Sequence, residues 1–328
     1  MKAITVLNPG KNSTLQIQDI DTPEPGDHEI QVKIEATALN RADLLQRQGK
    51  YPAPEGTSNI LGLEMAGIVE KVGPGVTRWK PGDFVFSLLP GGGYAEFCVI
   101  HEEMAMPIPD NLSFEEAAAI PETFLTAYQA LHWVGQLQPK ETVLIHAAGS
   151  GVGTSAIQLS SHLSEARILA TAGKDRKLET AQTLGADFTY NYKKVNFSDQ
   201  IERDLGSNSV DLIIDFVGAS YWNKNINVLA KDGRLVLLAI LGGHKVKNMS
   251  LIPILQKRLS VRGTTLRSRS LEYKIKLTQE FSARTLDLFE RDLLRPVIDS
   301  VHDWQDAEKA HQQMADNKNT GKIVLTGM

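Results

Sequence analysis

Cysteine is almost absent: the 328 residues contain one, Cys98. A single cysteine excludes any disulfide within the chain and any zinc site built on several cysteines. Long apolar runs are missing as well. None approaches the ~20 residues that span a bilayer, so no membrane partner is expected. The start, Met1 to Val6, turns polar by Asn8 and lacks the apolar core of a signal peptide. These features point to a cytoplasmic location. An excess of one charge sign is also lacking. Lys and Arg number 35 and Asp and Glu 39, for a net charge of −4. That balance argues against nucleic acid as the main partner. The local basic stretch from Lys245 to Lys257, with Arg258, Arg262, Arg267 and Arg269, reads as a solvated face or a phosphate edge.

What is present is ordinary for a globular protein: 42% hydrophobic and 23% charged residues. The length suggests two domains. The first hundred residues read as short strands between dense turns, such as Pro23-Glu24-Pro25-Gly26 and Pro81-Gly82-Asp83. Glu29 to Ala38 alternates, with Ile30, Val32, Ile34 and Ala36 on one face. Apolar runs at Ala66 to Val72, Phe84 to Leu89 and Tyr94 to Ile100 suit buried strands. Near Leu112 the pattern changes. Ser113 can cap a helix whose first turn carries Glu115 and Glu116. Phe124, Ala127, Tyr128 and Leu131 then recur at helical spacing.

After Pro139 apolar strands alternate with helices. Strands are expected at Thr142–Ala147, Arg167–Ala172, Phe188–Tyr192, Val210–Phe216, Gly233–Ile240 and Leu259–Thr265. Helices are expected at Gly153–Leu163, Arg176–Leu184 and Leu271–Glu290. The fold class is therefore α/β: a doubly wound parallel sheet of the Rossmann type beside a β-rich module. The end of the chain, with a helix near Asp306–Asp316 and a strand at Lys322–Thr326, should rejoin the first module. The expected domains are 1–121 with 296–328, and 122–295.

The strand ending at Ala147 runs into Ala148-Gly149-Ser150-Gly151-Val152-Gly153 and then a helix. Such a turn lets the backbone approach a pyrophosphate at a helix N-terminus. Thr154 stands where the third glycine of the strict spacing would be, and a plain tight turn is the alternative. The second strand ends at Gly173-Lys174-Asp175-Arg176-Lys177. An NAD site needs an acid at that strand end. Cations here favour the 2′-phosphate of NADPH, with Asp175 as the competing acid and a solvated helix start as the alternative.

With these pieces the sequence resembles the medium-chain dehydrogenase/reductase superfamily over essentially its whole length. The carriers are Gly62-Leu63-Glu64-Met65-Ala66-Gly67, Pro81-Gly82-Asp83, Gly93-Tyr94-Ala95-Glu96, Ala117-Ala118-Ala119 and the Ala147–Gly153 loop. Within it the chain is most similar to the zinc-independent quinone oxidoreductase branch, and to its p53-inducible group. The matches there are Ala38-Leu39-Asn40-Arg41-Ala42-Asp43, Arg47-Gln48-Gly49-Lys50-Tyr51, Leu89-Pro90-Gly91-Gly92-Gly93, Asn191-Tyr192-Lys193-Lys194 and Leu266-Arg267-Ser268-Arg269. The resemblance implies a GroES-like catalytic domain beside the Rossmann domain. Zinc enzymes of the superfamily place a cysteine where Asn40 stands and a histidine where Leu63 stands. Without a Lewis acid, acceptors that are already electrophilic, quinones or enones, are the easier substrates.

The resemblance also implies roles. Asn40 would lie beside the nicotinamide ribose, with a helix cap as the alternative. Tyr51 would line the acceptor site and can donate from its phenol, with a packing role before Pro52 as the alternative. Ser150, Gly151 and Val152 would hold phosphate, and Thr126 would border the nicotinamide. Gly173, Lys174, Lys177 and Tyr192 would face the 2′-phosphate and adenine side. Val217, Gly218, Leu241, Gly242 and Leu266 follow strand ends and would flank the cofactor. Asn317 would close over it or simply cap a helix. The expected activity is NADPH-dependent quinone reduction. Reduction of enals or enones is the first alternative, and a non-enzymatic RNA-binding or crystallin-like role the second. A homodimer pairing edge strands near Leu259 to Thr265 is expected.

Overall fold

The computed structural model describes residues 1–328. The chain forms two compact units: Met1–Leu125 with Leu266–Met328, and Thr126–Thr265. The first boundary falls inside the helix Pro121–Tyr128. The second lies earlier than the expected 295/296, because the helix Leu271–Glu290 groups with the first unit. Its Phe281 and Phe289 rings pack on Phe124 at 6.5 and 5.1 Å.

The first unit is built on a seven-stranded sheet. Its path runs Ile298–Asp303, Lys322–Thr326, Glu29–Ala38, Glu64–Val72, Phe84–Leu88 and Met106–Pro107, with Phe97–His101 also paired to Glu29–Ala38. The alternation of Ile30, Val32 and Ile34 buries one face against Met65, Val69, Val85 and Ile100. Cys98 lies in that core, and burial pushes its thiol up to about 12. The C-terminal strand pairs antiparallel with Glu29–Ala38, setting Val324 opposite Ala38. Ser113 caps the helix Phe114–Ala118, and the Ser113 amide donates to Glu116 Oε2 at 3.0 Å.

The second unit is a six-stranded sheet in which every pair is parallel. Its order is Phe188–Asn191, Arg167–Ala172, Thr142–Ile145, Val210–Asp215, Leu229–Leu237 and Ser260–Gly263. Counted along the chain, that order is third, second, first, fourth, fifth, sixth, the doubly wound arrangement expected from the alternation. The fifth strand starts at Leu229 and ends at Leu237, so Leu241 falls in the following loop. Three helices not singled out from the sequence emerge here: Phe197–Leu205, whose Phe197, Ile201 and Leu205 recur at helical spacing, Trp222–Val228 and Ile252–Lys257. After Tyr128 the helix widens into a π-turn at Gln129–Val134, where the Gly135 amide reaches back to the Ala130 carbonyl at 2.8 Å.

Candidate active site

Two sets of polar groups stand out, one in each unit. In the second unit they gather where parallel strands end. The strand Thr142–Ile145 passes through His146 and Ala147 into the glycine loop, and the helix Gly151–Ser164 starts directly after Ser150. Ser150 Oγ accepts from the Gly153 amide at 3.0 Å and so caps the helix. Its hydroxyl proton stays available for a phosphate oxygen. The amides of Gly151 and Val152 occupy the first helical positions and have no acceptor within the helix. A side chain at Gly153 could not fit: a Cβ there would lie 2.9 Å from Ala148 Cα. The Thr126 hydroxyl, at the start of this unit, is buried and has no hydrogen-bond partner.

The loop after the second strand is equally constrained. A Cβ at Gly173 would sit 2.5 Å from the Tyr192 hydroxyl, so any larger residue there would push the phenol away. Lys177 lies with its Cγ and Cδ over Gly149, and a Cβ there would be 2.7 and 2.6 Å from them. The competing acid Asp175 is occupied. It pairs with Lys194 at 2.6 Å and accepts from Asn191 Nδ2 at 2.7 Å. The Lys194 and Asn191 bonds hold its carboxyl below the usual range. Lys174 is exposed beside it.

Behind these loops runs a buried chain that the sequence did not reveal. His146 Nδ1 meets Thr171 Oγ1, and Nε2 meets Asn225 Oδ1, each at 2.8 Å. With the Asn225 oxygen accepting, Nε2 carries the proton. Burial lowers the His146 pKa and keeps the ring neutral. Asn225 Nδ2 then donates to Asp215 at 3.1 Å. Asp215 in turn accepts the amides of Val217 at 2.6 Å and Gly218 at 3.2 Å. The Gly242 amide donates to the Val217 carbonyl at 2.7 Å. Val217, Gly218, Leu241 and Gly242 thus form one braced pair of loops. Leu241 itself is 64% exposed.

In the first unit the set is ionic. Lys322 Nζ donates to Glu64 Oε1 at 2.6 Å, to Asn40 Oδ1 at 2.7 Å and to the Leu39 carbonyl at 2.7 Å. The Lys322 and Glu64 side chains are 4% and 0% exposed. Asn40 Nδ2 donates to Glu64 Oε1 at 2.7 Å. Asn40 does stand at the N-cap of the helix Arg41–Arg47, where its amide donates to Asp43 Oδ2 at 2.7 Å. Its side chain, however, serves Glu64 and Lys322. Asp43 Oδ1 also accepts the Gly62 amide at 3.0 Å. Burial pushes the Asp43 carboxyl up to about 6, against those amide bonds and the Lys322 charge. Glu64 Oε2 accepts the Glu122 amide at 2.8 Å.

Beside this cluster lie Tyr51 and Arg267. The Arg267 guanidinium carbon sits 5.4 Å from the centre of the Tyr51 ring, a cation–π contact. Its Nε donates to the Pro90 carbonyl at 2.7 Å. Arg267 is 5% exposed, yet Nη1 and Nη2 have no hydrogen-bond partner. Burial raises the Tyr51 pKa, Glu122 adds to the rise and Arg267 opposes it. Leu266 is buried next to Arg267 at the start of the returning segment. Asn317 lies apart from this group. It takes a left-handed conformation at φ 53° after the helix Ala307–Ala315 and accepts from Arg41 Nη2 at 2.6 Å. Glu64, Glu122, Lys322 and Arg267 were not singled out as site residues from sequence. Only the motifs around Glu64 and Arg267 drew attention there.

Residues 26–110 match the alcohol dehydrogenase GroES-like domain family, and residues 151–291 match the zinc-binding dehydrogenase family. Human quinone oxidoreductase is 30% identical over 99% of this chain and 97% of its own length. The chain belongs to the medium-chain dehydrogenase/reductase superfamily. Among solved structures, an NAD-dependent alcohol dehydrogenase superimposes with a TM-score of 0.86 at 33% identity, covering all of both chains. Escherichia coli quinone oxidoreductase in complex with NADPH superimposes with a TM-score of 0.85 at 28% identity, covering 99% of each. The superfamily thus includes zinc enzymes, and the present residues do not fit zinc. No three His, Cys, Asp or Glu side chains converge as a metal centre requires. Glu64, the one acid bonded to the Asn40 side chain, is already paired with Lys322.

Proposed function

We propose that this chain reduces quinones with NADPH and does so without zinc. The observation that carries this reading is the makeup of the ionic site. It offers hydrogen-bond donors, Tyr51 and Arg267, and a carboxylate already paired with an ammonium, rather than metal ligands. Donors of this kind hold an acceptor oxygen as it gains charge. Bound NADPH supplies the hydride. The residues of this chain position both partners and stabilise the charge that develops.

The second unit supports the choice of cofactor. The open amides of Gly151 and Val152, the Ser150 hydroxyl and the helix start suit a pyrophosphate. The orphaned Thr126 hydroxyl has a polar partner to gain when the nicotinamide end is occupied. Gly173, Lys174, Lys177 and Tyr192 would face the 2′-phosphate, a reading supported by Asp175 being paired with Lys194. Val217, Gly218, Leu241, Gly242 and Leu266 would flank the cofactor. Asn40 contributes by fixing the Glu64 and Lys322 pair, with one Oδ1 lone pair left for the nicotinamide ribose. Asn317, linked to Arg41, would cover the cofactor only if that bond is exchanged.

The relatives differ in cofactor and substrate, so the deciding experiment is an NADPH-oxidation screen. Quinones, enones and simple aldehydes are compared, with NADH in parallel. The reading expects quinones to be turned over with the highest kcat/KM and NADPH to be preferred. Fastest turnover of an enone, or equal use of NADH, would replace it. We also propose a cytoplasmic homodimer. The strand Ser260–Gly263 is an open sheet edge whose Val261 is 42% exposed. No helix is long and apolar enough to cross a membrane.

A further inference from the structure

We propose that Glu122 is the proton donor of the reaction, its carboxyl O–H protonating the acceptor oxygen that becomes anionic on reduction. This rests on the reductase reading above. Three acids lie together in the first unit, and their surroundings differ. Both Glu64 oxygens are engaged, by Lys322 and Asn40 on one and by the Glu122 amide on the other. Both Asp43 oxygens accept backbone amides. The Glu122 backbone is anchored through its amide to Glu64, at the start of the helix Pro121–Tyr128. Its carboxyl makes no hydrogen bond, and the residue as a whole is of intermediate exposure. It is therefore the one acid of the three free to meet a substrate and to exchange with water.

A second observation points to the same place. The guanidinium of Arg267 is buried beneath Tyr51, with both terminal nitrogens unpartnered. Beyond the Nε bond to Pro90 and the Tyr51 ring, this desolvated cation has donors left unsatisfied, which is costly unless something compensates. An oxygen that turns anionic nearby would supply that compensation. The charged and titratable groups that interact with Glu122 are Tyr51, Asp43 on the first helix, Glu64 on its strand, Lys322 on the C-terminal strand, Arg267, and Lys274 on the helix Leu271–Glu290. Burial raises the Glu122 carboxyl, helped by Glu64 and Asp43 and opposed by Lys322 and Arg267, up to about 8. The group therefore carries a proton at neutral pH.

The balance is simple. Hydride brings two electrons to the acceptor and the cofactor is oxidised. The acceptor oxygen holds the resulting negative charge. The Glu122 O–H bond breaks, an O–H bond forms on the acceptor, and water restores the carboxyl proton.

The test uses 2,4-dinitrophenol, an anionic phenolate across the working range, as a mimic of the reduced acceptor. Its binding to the NADP+ complex is measured from about pH 6 to 10 for wild type, Glu122→Gln and Glu122→Asp. Wild type should lose about tenfold in affinity as the pH passes about 8, because the ionised carboxylate repels the phenolate. Glu122→Gln should bind with no such break, and Glu122→Asp should retain one. A break that persists in Glu122→Gln would assign it to Lys274, whose ammonium burial holds below its usual range, and overturn the proposal. In turnover, Glu122→Gln should lower the acceptor kcat/KM about 100-fold while NADPH affinity stays within about twofold. Wild-type kcat/KM in that variant would also overturn it. Failure of wild type to reduce any quinone, with the phenolate profile intact, would remove the quinone reading and leave Glu122 in place.

Discussion

The two units hold their polar groups by opposite means. At the strand ends of the second unit the working groups are mostly backbone amides, presented by a loop of six residues and the first turn of a helix. Side chains such as His146, Asn225 and Asp215 stand behind them as neutral or locally paired braces. In the first unit the groups are polar and ionisable side chains drawn from far-apart segments: the charged Glu64, Arg267 and Lys322, with Asn40 and Glu122 among them. A backbone site is made by local geometry and tolerates many neighbours. An ionic cluster exists only if every member arrives, because each charge left unpaired in the interior is costly. Stability should thus respond sharply to substitution in the first unit and cofactor affinity in the second.

The largest effect is expected at Lys322. Lys322→Met leaves Glu64 buried without its counter-charge and should cost about 3–5 kcal/mol in chemical denaturation. Adding Glu64→Gln should restore a good part of that loss. Equal destabilisation in single and double variants would show that the pair is not the source. The corresponding break in the second unit should be milder. Asn225→Leu strands His146 Nε2 and one Asp215 contact and should cost about 1–3 kcal/mol, with NADPH affinity falling as the braced loops loosen. Unchanged stability would show that these loops hold without their support.

Lys177→Ala sharpens the comparison further, since it should touch binding and not folding. A roughly tenfold weaker NADPH affinity is expected, worth about 1.4 kcal/mol, with NADH affinity and melting temperature unchanged. An equal loss for both cofactors would assign Lys177 to the pyrophosphate instead of the 2′-phosphate. The smallest effect concerns pH. A carboxyl raised to about 8 in the folded chain stabilises it fully below its unfolded pKa of about 4.3. That contribution fades as the pH rises and is gone above about 8. Wild type should therefore lose melting temperature relative to Glu122→Gln between neutral and alkaline pH. Parallel curves would show that Glu122 is already ionised at neutral pH.

The same contrast explains what could be read in advance. The helix Leu271–Glu290 and the strand Lys322–Thr326 were legible to the residue, because their apolar patterns are strong and their ends carry clear breaks. The glycine loop was legible because close backbone approach demands glycine at fixed spacing. The helix Phe197–Leu205 was not identified, although Phe197, Ile201 and Leu205 at four-residue spacing carry its signal. The assignment of Leu271–Glu290 to the first unit was equally hidden, because it depends on Phe281 and Phe289 meeting Phe124. Asn40 was recognised as a notable residue, but its partners Glu64 and Lys322 lie 24 and 282 positions away.

By itself, then, the amino-acid order determined the parallel sheet, its glycine loop, the cationic turn at Gly173 to Lys177 and the lack of cysteine ligands. Each of these follows from short-range spacing or from composition, which folding does not change. The tertiary structure alone decided that Lys322 neutralises Glu64, that Arg267 lies buried beneath Tyr51, and that Glu122 keeps an unpaired carboxyl. Charges act through distance and burial, and both are set only when segments hundreds of residues apart are packed together.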